Sequence, residues 1–179
     1  MMTEELALPD AAATRRLGAA LAEGIAPGRV LFLHGDLGAG KTTLVQGLVR
    51  ALGFSGRVKS PTYSLVELYE LSSLNLYHFD FYRFSQPEEY LDAGLDEYFG
   101  GEGVCVVEWA ERGEFKDEEP PVWDGEWLRV TLSITGEDEG VTLAAFHHTI
   151  LIKFNIQRTH VFCLIPVLHD TNIFARWPH

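Results

Sequence analysis

The sequence predicts an α/β domain whose sheet is part parallel and part antiparallel, with helices on both faces. Two short apolar runs, residues 30–33 and 104–107, are typical of buried strands. Apolar residues recur at helical spacing over residues 44–52, shortly after the first run, and Gly53 is placed to end that helix. Two β-rich runs, residues 64–71 and 74–80, are separated by two serines, which indicates a hairpin. A chain of 179 residues is long enough to bury the core of one such domain.

The chain begins with a predicted edge strand over residues 4–8, followed by a helix. Asp10 is suited to cap a helix that extends to about residue 24, with Leu17 and Leu21 on its inner face. A Pro-Gly turn then leads into the buried strand at residues 30–33.

A glycine-rich loop connects this strand to the next helix. Residues 34–43, HGDLGAGKTT, fit the phosphate-binding pattern G-x-x-x-x-G-K-[ST] and predict a P-loop NTPase-like domain. The glycines allow backbone N–H groups to approach phosphate oxygens, and the helix N-terminus attracts negative charge. Lys41 is expected to reach the β- and γ-phosphates, Thr42 to ligate Mg²⁺, and Thr43 to bond a phosphate oxygen. A plain glycine-rich turn is the alternative. The predicted nucleotide-binding residues here are Gly35, Asp36, Leu37, Gly38, Ala39, Gly40, Lys41, Thr42 and Thr43.

The remaining elements follow from local signals. Pro61 makes residues 60–63 a loop, and Pro87 opens a short helix with acidic residues in its first turn. Residues 113–125 are acidic and rich in Pro and Gly, which indicates a loop. Residues 127–135 and 141–146 are predicted to form a closing pair of strands.

Two acids stand where predicted strands end, namely Asp80 and Glu108. Ligands of open α/β sheets collect beyond the carboxyl ends of the strands, so both acids are candidate catalytic residues together with Lys41. Glu108 would hold Mg²⁺ directly or through water, and Asp80 would orient or deprotonate the attacking water. For each acid the alternative is a solvated residue at the rim of the sheet or a helix cap.

Neighbouring side chains admit two interpretations each. The loop from Ser60 to Tyr63 could sense the γ-phosphate or be a simple turn. Arg83 could stabilise phosphate charge or be an ordinary surface arginine. His78 is expected to pack inside the sheet, and Trp109 to pack rather than stack on a base.

Charge and cysteine content narrow the class of protein. A net charge of −12 leaves no basic stripe for nucleic acid and disfavours acidic partners and anionic membranes. Two cysteines, Cys105 and Cys163, are too few for a disulfide scaffold, and Cys105 is expected to be a buried thiol. The first ten residues lack the pattern of a signal peptide, and residues 149–168 carry too many polar groups to span a membrane. We therefore expect a cytoplasmic protein.

The C-terminal segment differs from the rest of the chain. We predict a P-loop NTPase domain over residues 1–146 and an atypical extension of unknown role over residues 147–179. The extension contains five of the seven histidines and has the opposite net charge. A lineage-specific extension, a partner-binding segment and a translated frameshift all remain open, and alternating apolar residues over 150–156 allow a docking strand. The histidines lack metal-ligand spacing.

Four motifs occur in an order and spacing that resemble the TsaE family over about residues 4–146. They are HGDLGAGKTT at residues 34–43, KSPTYSLV at 59–66, YHFDFYR at 77–83 and VEWAE at 107–111. Glu111, which ends the last motif, is counted among the nucleotide-binding candidates. The resemblance implies that Asp10 and Ala11 lie beside the adenine, that Glu108 is the second Mg²⁺ contact, and that Asp80 is needed for hydrolysis.

The resemblance also implies a function. Members of this family bind and hydrolyse ATP with Mg²⁺, weakly when alone, and associate with the TsaB–TsaD heterodimer. TsaD transfers a threonylcarbamoyl group to the tRNA adenosine next to the anticodon, and the ATPase would reset it for another turnover. The tRNA would be contacted only through the partners, which agrees with the acidic charge.

Two other functions remain open on the sequence. A small-molecule P-loop kinase would need an arginine-bearing lid, for which no cluster of arginines is present. A nucleotide-gated binding module would need partner contacts but little hydrolysis. The Asn/Thr-Lys-x-Asp segment typical of guanine specificity is missing, so adenine is expected.

Overall fold

The computed structural model describes residues 5–99, 101–113, 127–135 and 149–156. Within these ranges the chain forms seven strands, three α-helices and three short 3₁₀ turns. The strands are β1 (Glu5–Leu8), β2 (Val30–His34), β3 (Val66–Glu70), β4 (Asn75–Asp80), β5 (Val104–Glu108), β6 (Trp127–Thr135) and β7 (Thr149–Ile156). The helices are α1 (Ala11–Leu21), α2 (Lys41–Ala51) and α3 (Glu89–Asp92), and the 3₁₀ turns are Ala22–Gly24, Leu95–Tyr98 and Ala110–Gly113.

The strands form one mixed sheet in the order β1-β7-β6-β2-β5-β4-β3. Its centre, β6-β2-β5-β4, is parallel, whereas β3 pairs antiparallel with β4, and β7 pairs antiparallel with both β6 and β1. The predicted mixture of parallel and antiparallel strands is confirmed. Because β2, β4 and β5 run in the same direction, their carboxyl ends meet at one edge of the sheet.

Helices cover both faces of the sheet, as predicted. Alternate residues of β2 point to opposite sides: Leu31 and Leu33 pack with α1 and α2, whereas Val30 and Phe32 pack in a second cluster. That second cluster contains aromatic residues from α3 and the neighbouring 3₁₀ turn. The two-residue period of a strand thus divides the core into two layers.

The local signals that end the helices are also confirmed. Asp10 caps α1, since its carboxylate accepts a hydrogen bond of 2.7 Å from the Ala13 backbone N–H. Beyond α2, Gly53 adopts a left-handed φ of 95°, the conformation for which a glycine is favoured after a helix. The last turn of the predicted first helix, Ala22–Gly24, is 3₁₀ rather than α.

Two glycines allow α1 and α2 to cross in close contact. A Cβ atom at Gly18 would lie 2.0 Å from the carbonyl oxygen of Leu44, and one at Gly47 would lie 2.0 Å from that of Arg15. The hairpin forms as predicted, and the Leu71 backbone N–H donates to the Leu74 carbonyl across its two-serine turn at 3.0 Å.

The predicted pairing at the C-terminal side of the sheet is wrong in one respect. β6 has the predicted bounds, but its antiparallel partner is β7 at Thr149–Ile156 rather than residues 141–146. The other edge of β6 pairs with β2, so both of its edges are occupied. Part of the segment that was expected to be an extension therefore lies inside the sheet, between β1 and β6. Residues 141–146, 114–125 and 157–179 lie outside the described residues, as does Cys163.

Candidate functional site

The loop between β2 and α2 has a conformation that glycine makes possible. Gly35, Gly38 and Gly40 adopt φ values of 133°, 84° and 98°, all in the left-handed region. A Cβ atom at Gly35 would also lie 2.2 Å from the Leu132 carbonyl oxygen of β6, which packs against the loop. The loop therefore passes too close to the neighbouring strand for any other residue at this position.

Lys41 begins α2 and is buried at the base of this loop, with 5% of its surface exposed. Its Nζ donates to the carbonyl oxygens of Gly35 at 2.5 Å and Asp36 at 2.9 Å. The same atom lies 3.7 Å from the centroid of the Trp109 ring, a cation–π contact. Burial lowers the pKa of Lys41, and the carboxylates around it, Glu108 first among them, oppose this shift.

Asp80 and Glu108 lie side by side at the carboxyl ends of β4 and β5, where the parallel register pairs them directly. Each is buried, with 2% of its surface exposed. The Thr42 hydroxyl donates to Glu108 Oε2 at 2.9 Å. The P-loop threonine and the strand-end glutamate are thus within reach of one common ligand.

Asp80 is held by the loop that follows α2. The hydroxyls of Ser60 and Thr62 both donate to Asp80 Oδ2, the second at 2.8 Å, and the two hydroxyl oxygens lie 2.7 Å apart. The Tyr82 backbone N–H donates to Oδ1 at 2.9 Å. A change in the position of this loop would therefore move the Asp80 carboxylate or break its hydrogen bonds.

A cleft of about 390 Å³ joins these groups. Its walls bring Lys41, Thr42, Asp80 and Glu108 together, as the sequence motifs predict. Its lining residues are Leu37, Gly38, Gly40, Lys41, Thr42, Thr43, Ser60, Thr62, Asp80, Tyr82, Glu108 and Trp109.

Several predicted nucleotide-binding residues lie outside this lining. Asp10 and Ala11 are exposed at the start of α1, and Ala39 is buried in the core beneath α2. Asp36 is exposed, and its carbonyl oxygen binds Lys41. The proposed place of the adenine near Asp10 is not tested by these positions.

Glu111 faces His34, and neither residue lines the cleft. The carboxylate Oε2 lies 3.4 Å from His34 Nδ1, and the Gly35 backbone N–H is hydrogen-bonded to the Glu111 carboxylate. Burial raises the pKa of Glu111. Burial, together with the positive charges of Arg129 and Lys41, lowers the pKa of His34 to about 4. Glu111 therefore supports the first glycine of the loop.

Two residues take part in the site more closely than the sequence indicated. His78 is buried as expected, but its Nε2 lies 2.8 Å from Glu108 Oε1. Trp109 lines the cleft and packs on both Lys41 and the Tyr82 ring, whose centroid is 5.0 Å away. The two-residue period of β4 places His78 on the same face as Asp80, and this was the available signal for His78.

Other expectations have simpler outcomes. Arg83 lies over the ring of exposed Tyr63, 4.3 Å from its centroid, and does not line the cleft. Cys105 is a buried thiol, as predicted, and burial raises its pKa to about 12.

Among the described residues there is no cluster of three or more metal-ligating side chains of the His, Cys, Asp and Glu types. No helix in the same ranges has the length and apolar character needed to cross a bilayer.

Comparison with known proteins finds a matching family model and similar bacterial proteins. Residues 8–140 match the family model described as threonylcarbamoyl adenosine biosynthesis protein TsaE. A protein of Bacillus subtilis named tRNA threonylcarbamoyladenosine biosynthesis protein TsaE is 45% identical over 127 residues, which cover 71% of this chain and 73% of that protein. A Haemophilus influenzae protein of the same name is 48% identical over 85 residues, which cover 48% of this chain and only 54% of that protein.

A solved structure is similar along nearly the whole chain. The crystal structure of YdiB from Bacillus subtilis superposes with a TM-score of 0.69 at 31% identity, covering 93% of this chain and 94% of that one. The fold of this chain is therefore that of a solved protein.

Proposed function

Because the chain belongs to the TsaE family, we propose that it is an ATPase of tRNA threonylcarbamoyladenosine biosynthesis. It would bind and hydrolyse ATP with Mg²⁺ in the cytoplasm as a partner of the TsaB–TsaD heterodimer, which modifies the tRNA adenosine next to the anticodon. The observation that carries the proposal is that Lys41, Thr42, Asp80 and Glu108 line one cleft.

The loop residues would bind the triphosphate. Lys41 already directs its ammonium into the loop, where it donates to the Gly35 and Asp36 carbonyls. Phosphate oxygens are stronger acceptors than these carbonyls, so Lys41 would exchange one or both contacts for the β- and γ-phosphates. With Gly40 in a left-handed conformation before α2, backbone N–H groups at the start of the helix would bind the same phosphates.

Thr42 and Glu108 fit a magnesium ion. Mg²⁺ prefers oxygen ligands and is commonly bound by one or two protein oxygens together with phosphates and waters. The Thr42 Oγ1 and Glu108 Oε2 atoms, 2.9 Å apart beside the cleft, supply such a pair. When bound, the ion would neutralise charge on the phosphates as the terminal P–O bond breaks.

Asp80 would position the attacking water. An ionised carboxylate offers about four lone-pair sites, and three are taken by Ser60, Thr62 and the Tyr82 N–H. The remaining site, on Oδ1, could accept a hydrogen bond from water. We expect hydrolysis by the isolated protein to be weak and to be stimulated when TsaB–TsaD binds.

The charge of the chain supports contact with protein rather than RNA. With 14 Lys and Arg against 26 Asp and Glu, the chain has no excess of cations to neutralise a phosphate backbone. The tRNA would therefore be held by the partners.

The test is ATP turnover with Mg²⁺, measured for the chain alone and with TsaB–TsaD added. We expect strong stimulation by the pair and its loss in Lys41→Ala. Arg50→Ala is the matched control, because Arg50 is an exposed cation on the same helix and lies outside the cleft. If nucleotide binds but the pair does not stimulate turnover, a nucleotide-gated binding module is the better interpretation. If nucleotide does not bind, the proposed activity is wrong.

A further inference from the structure

We propose that His78 is a positioning residue for Glu108, holding one carboxylate oxygen so that the other faces Thr42 and the metal. The inference rests on the proposed function, since it assumes that Glu108 takes part in a Mg²⁺ site.

The contact that carries the proposal is short and buried. His78 Nε2 lies 2.8 Å from Glu108 Oε1, and 0% of the histidine and 2% of the glutamate are exposed. An ionised carboxylate has acceptors only, so Nε2 must carry the hydrogen and donate it to Oε1. Because both side chains are buried, solvent competes little for this hydrogen bond.

The carboxylate of Glu108 is thus held at both oxygens. Thr42 donates to Oε2 at 2.9 Å while His78 donates to Oε1, so rotation of the carboxylate would break both bonds. Thr42 and Glu108 line the cleft, whereas His78 does not. His78 therefore acts from behind Glu108, without touching nucleotide.

Packing alone does not account for a histidine at this position. The ring stacks on Tyr69 at a centroid distance of 6.2 Å, a contact that a phenylalanine could also make. Within the described part of the chain, Nδ1 has no hydrogen-bond partner. The hydrogen bond from Nε2 to Glu108 is therefore the polar contact that the ring makes there. Burying an imidazole with an unpaired nitrogen costs free energy, and an apolar residue would avoid that cost. The contact with Glu108 is what distinguishes histidine from an apolar ring here.

The experiment measures the Kd of ADP by calorimetry, once with Mg²⁺ and once with EDTA. Four proteins are compared: the original chain, His78→Phe, His78→Gln and Phe79→Leu. His78→Phe keeps the ring but removes the donor, and His78→Gln keeps an N–H donor of similar reach. Phe79→Leu is the control for damage to β4, because Phe79 is equally buried on the opposite face of the same strand.

We expect His78→Phe to weaken ADP binding about ten- to hundredfold in Mg²⁺ and to leave binding in EDTA unchanged, the range found when an outer partner of a metal ligand is removed. His78→Gln should recover most of the Mg²⁺-dependent affinity, and Phe79→Leu should lower thermal stability without changing the ratio of the two Kd values. If His78→Phe does not fold, His78→Asn replaces it, since its amide is too short to reach Oε1.

Three results would overturn the proposal. An unchanged Mg²⁺ dependence in His78→Phe, or an equal loss in Mg²⁺ and EDTA, would show that His78 does not position the metal ligand, while the proposed ATPase would stand. An ADP affinity that ignores Mg²⁺ in the original chain would instead remove the metal role of Glu108 and, with it, this proposal.

Discussion

At the scale of single residues, the site is organised by hydrogen bonds to its two acids. Glu108 is bound by Thr42 and His78, and Asp80 is bound by Ser60 and Thr62. Each acid is therefore fixed before any ligand arrives, which reduces the reorganisation needed to reach a reactive geometry.

Removing the hydroxyls that hold Asp80 should affect turnover more than binding. We expect the double variant Ser60→Ala, Thr62→Val to lower partner-stimulated ATP turnover about tenfold, because a loosened carboxylate orients water less well. The Kd of ADP should stay within about twofold, since neither hydroxyl belongs to the phosphate loop. Steady-state turnover and calorimetric titration measure the two quantities. Ser64→Ala, an exposed serine of the same segment, is the control, and equal losses in both variants would contradict the prediction.

His34 should make the protein less stable as the pH falls. Its pKa is about 4 in the folded state against 6.5 for the free side chain, so the unfolded chain binds more protons between these values. The free energy of unfolding therefore decreases as the pH falls through this window, by about 1 kcal/mol between about pH 7.5 and about pH 5.5. Urea unfolding of the original chain and of His34→Gln at both pH values should show that contribution missing in the variant.

That experiment needs a control for Glu111, because its raised pKa changes the free energy of unfolding in the opposite direction as the pH falls. The folded state binds the Glu111 proton more tightly than the unfolded state, so this group stabilises the fold as the pH falls. The His34→Gln comparison should therefore be repeated in a Glu111→Gln background. A pH dependence that is unchanged by His34→Gln in both backgrounds would show that His34 is not the source.

At the scale of elements, the position of the phosphate loop depends on how α2 packs against α1 and the sheet. The two helices approach closely through Gly18 and Gly47, and β6 packs against the loop at Gly35. These contacts fix the start of α2, where Lys41 and Thr42 lie.

Gly18→Ala should destabilise the protein although alanine is the better helix former. At an exposed helical position this change would stabilise by up to about 1 kcal/mol. Here the new Cβ would meet the Leu44 carbonyl oxygen at 2.0 Å, so the helices must separate, and we expect a net loss of about 3 kcal/mol in the free energy of unfolding.

Urea unfolding measures this loss. Ala12→Gly, at an exposed position in the first turn of α1, is the control, with an expected cost of at most about 1 kcal/mol. A Gly18→Ala protein as stable as the original chain would mean that the helix crossing can relax freely.

At the scale of the whole molecule, β7 lies next to the edge strand β1, on the side of the sheet away from the hairpin. It separates β1 from β6 and pairs with both. Cutting the chain after residue 146, the predicted domain boundary, would therefore remove the strand that pairs with both β1 and β6.

Two truncations test the role of β7. A chain that ends at residue 148 should lose cooperative thermal unfolding or aggregate, because β1 loses its partner and one edge of β6 becomes exposed. A chain that ends at residue 158 keeps β7 and is the matched control, which should retain a cooperative transition. Scanning calorimetry measures both, and a cooperative transition at the original temperature in the shorter chain would show that β7 is not needed for the fold.

Local sequence was sufficient for the features that depend on short-range geometry. The phosphate loop, the Asp10 and Gly53 helix ends, and the acids at the ends of β4 and β5 were all predictable, since each follows from residue spacing along one segment. The fold class followed as well, because strand and helix periods are local properties.

The tertiary structure was needed for contacts between distant segments. The pairing of β6 with β7 instead of residues 141–146, the bond from His78 to Glu108, and the packing of Lys41 on Trp109 depend on strand order and register. These arise when the whole sheet assembles, and several pairings would satisfy the same local pattern of apolar residues. Residue spacing alone therefore identifies the chemical groups, whereas the folded sheet determines which of them touch.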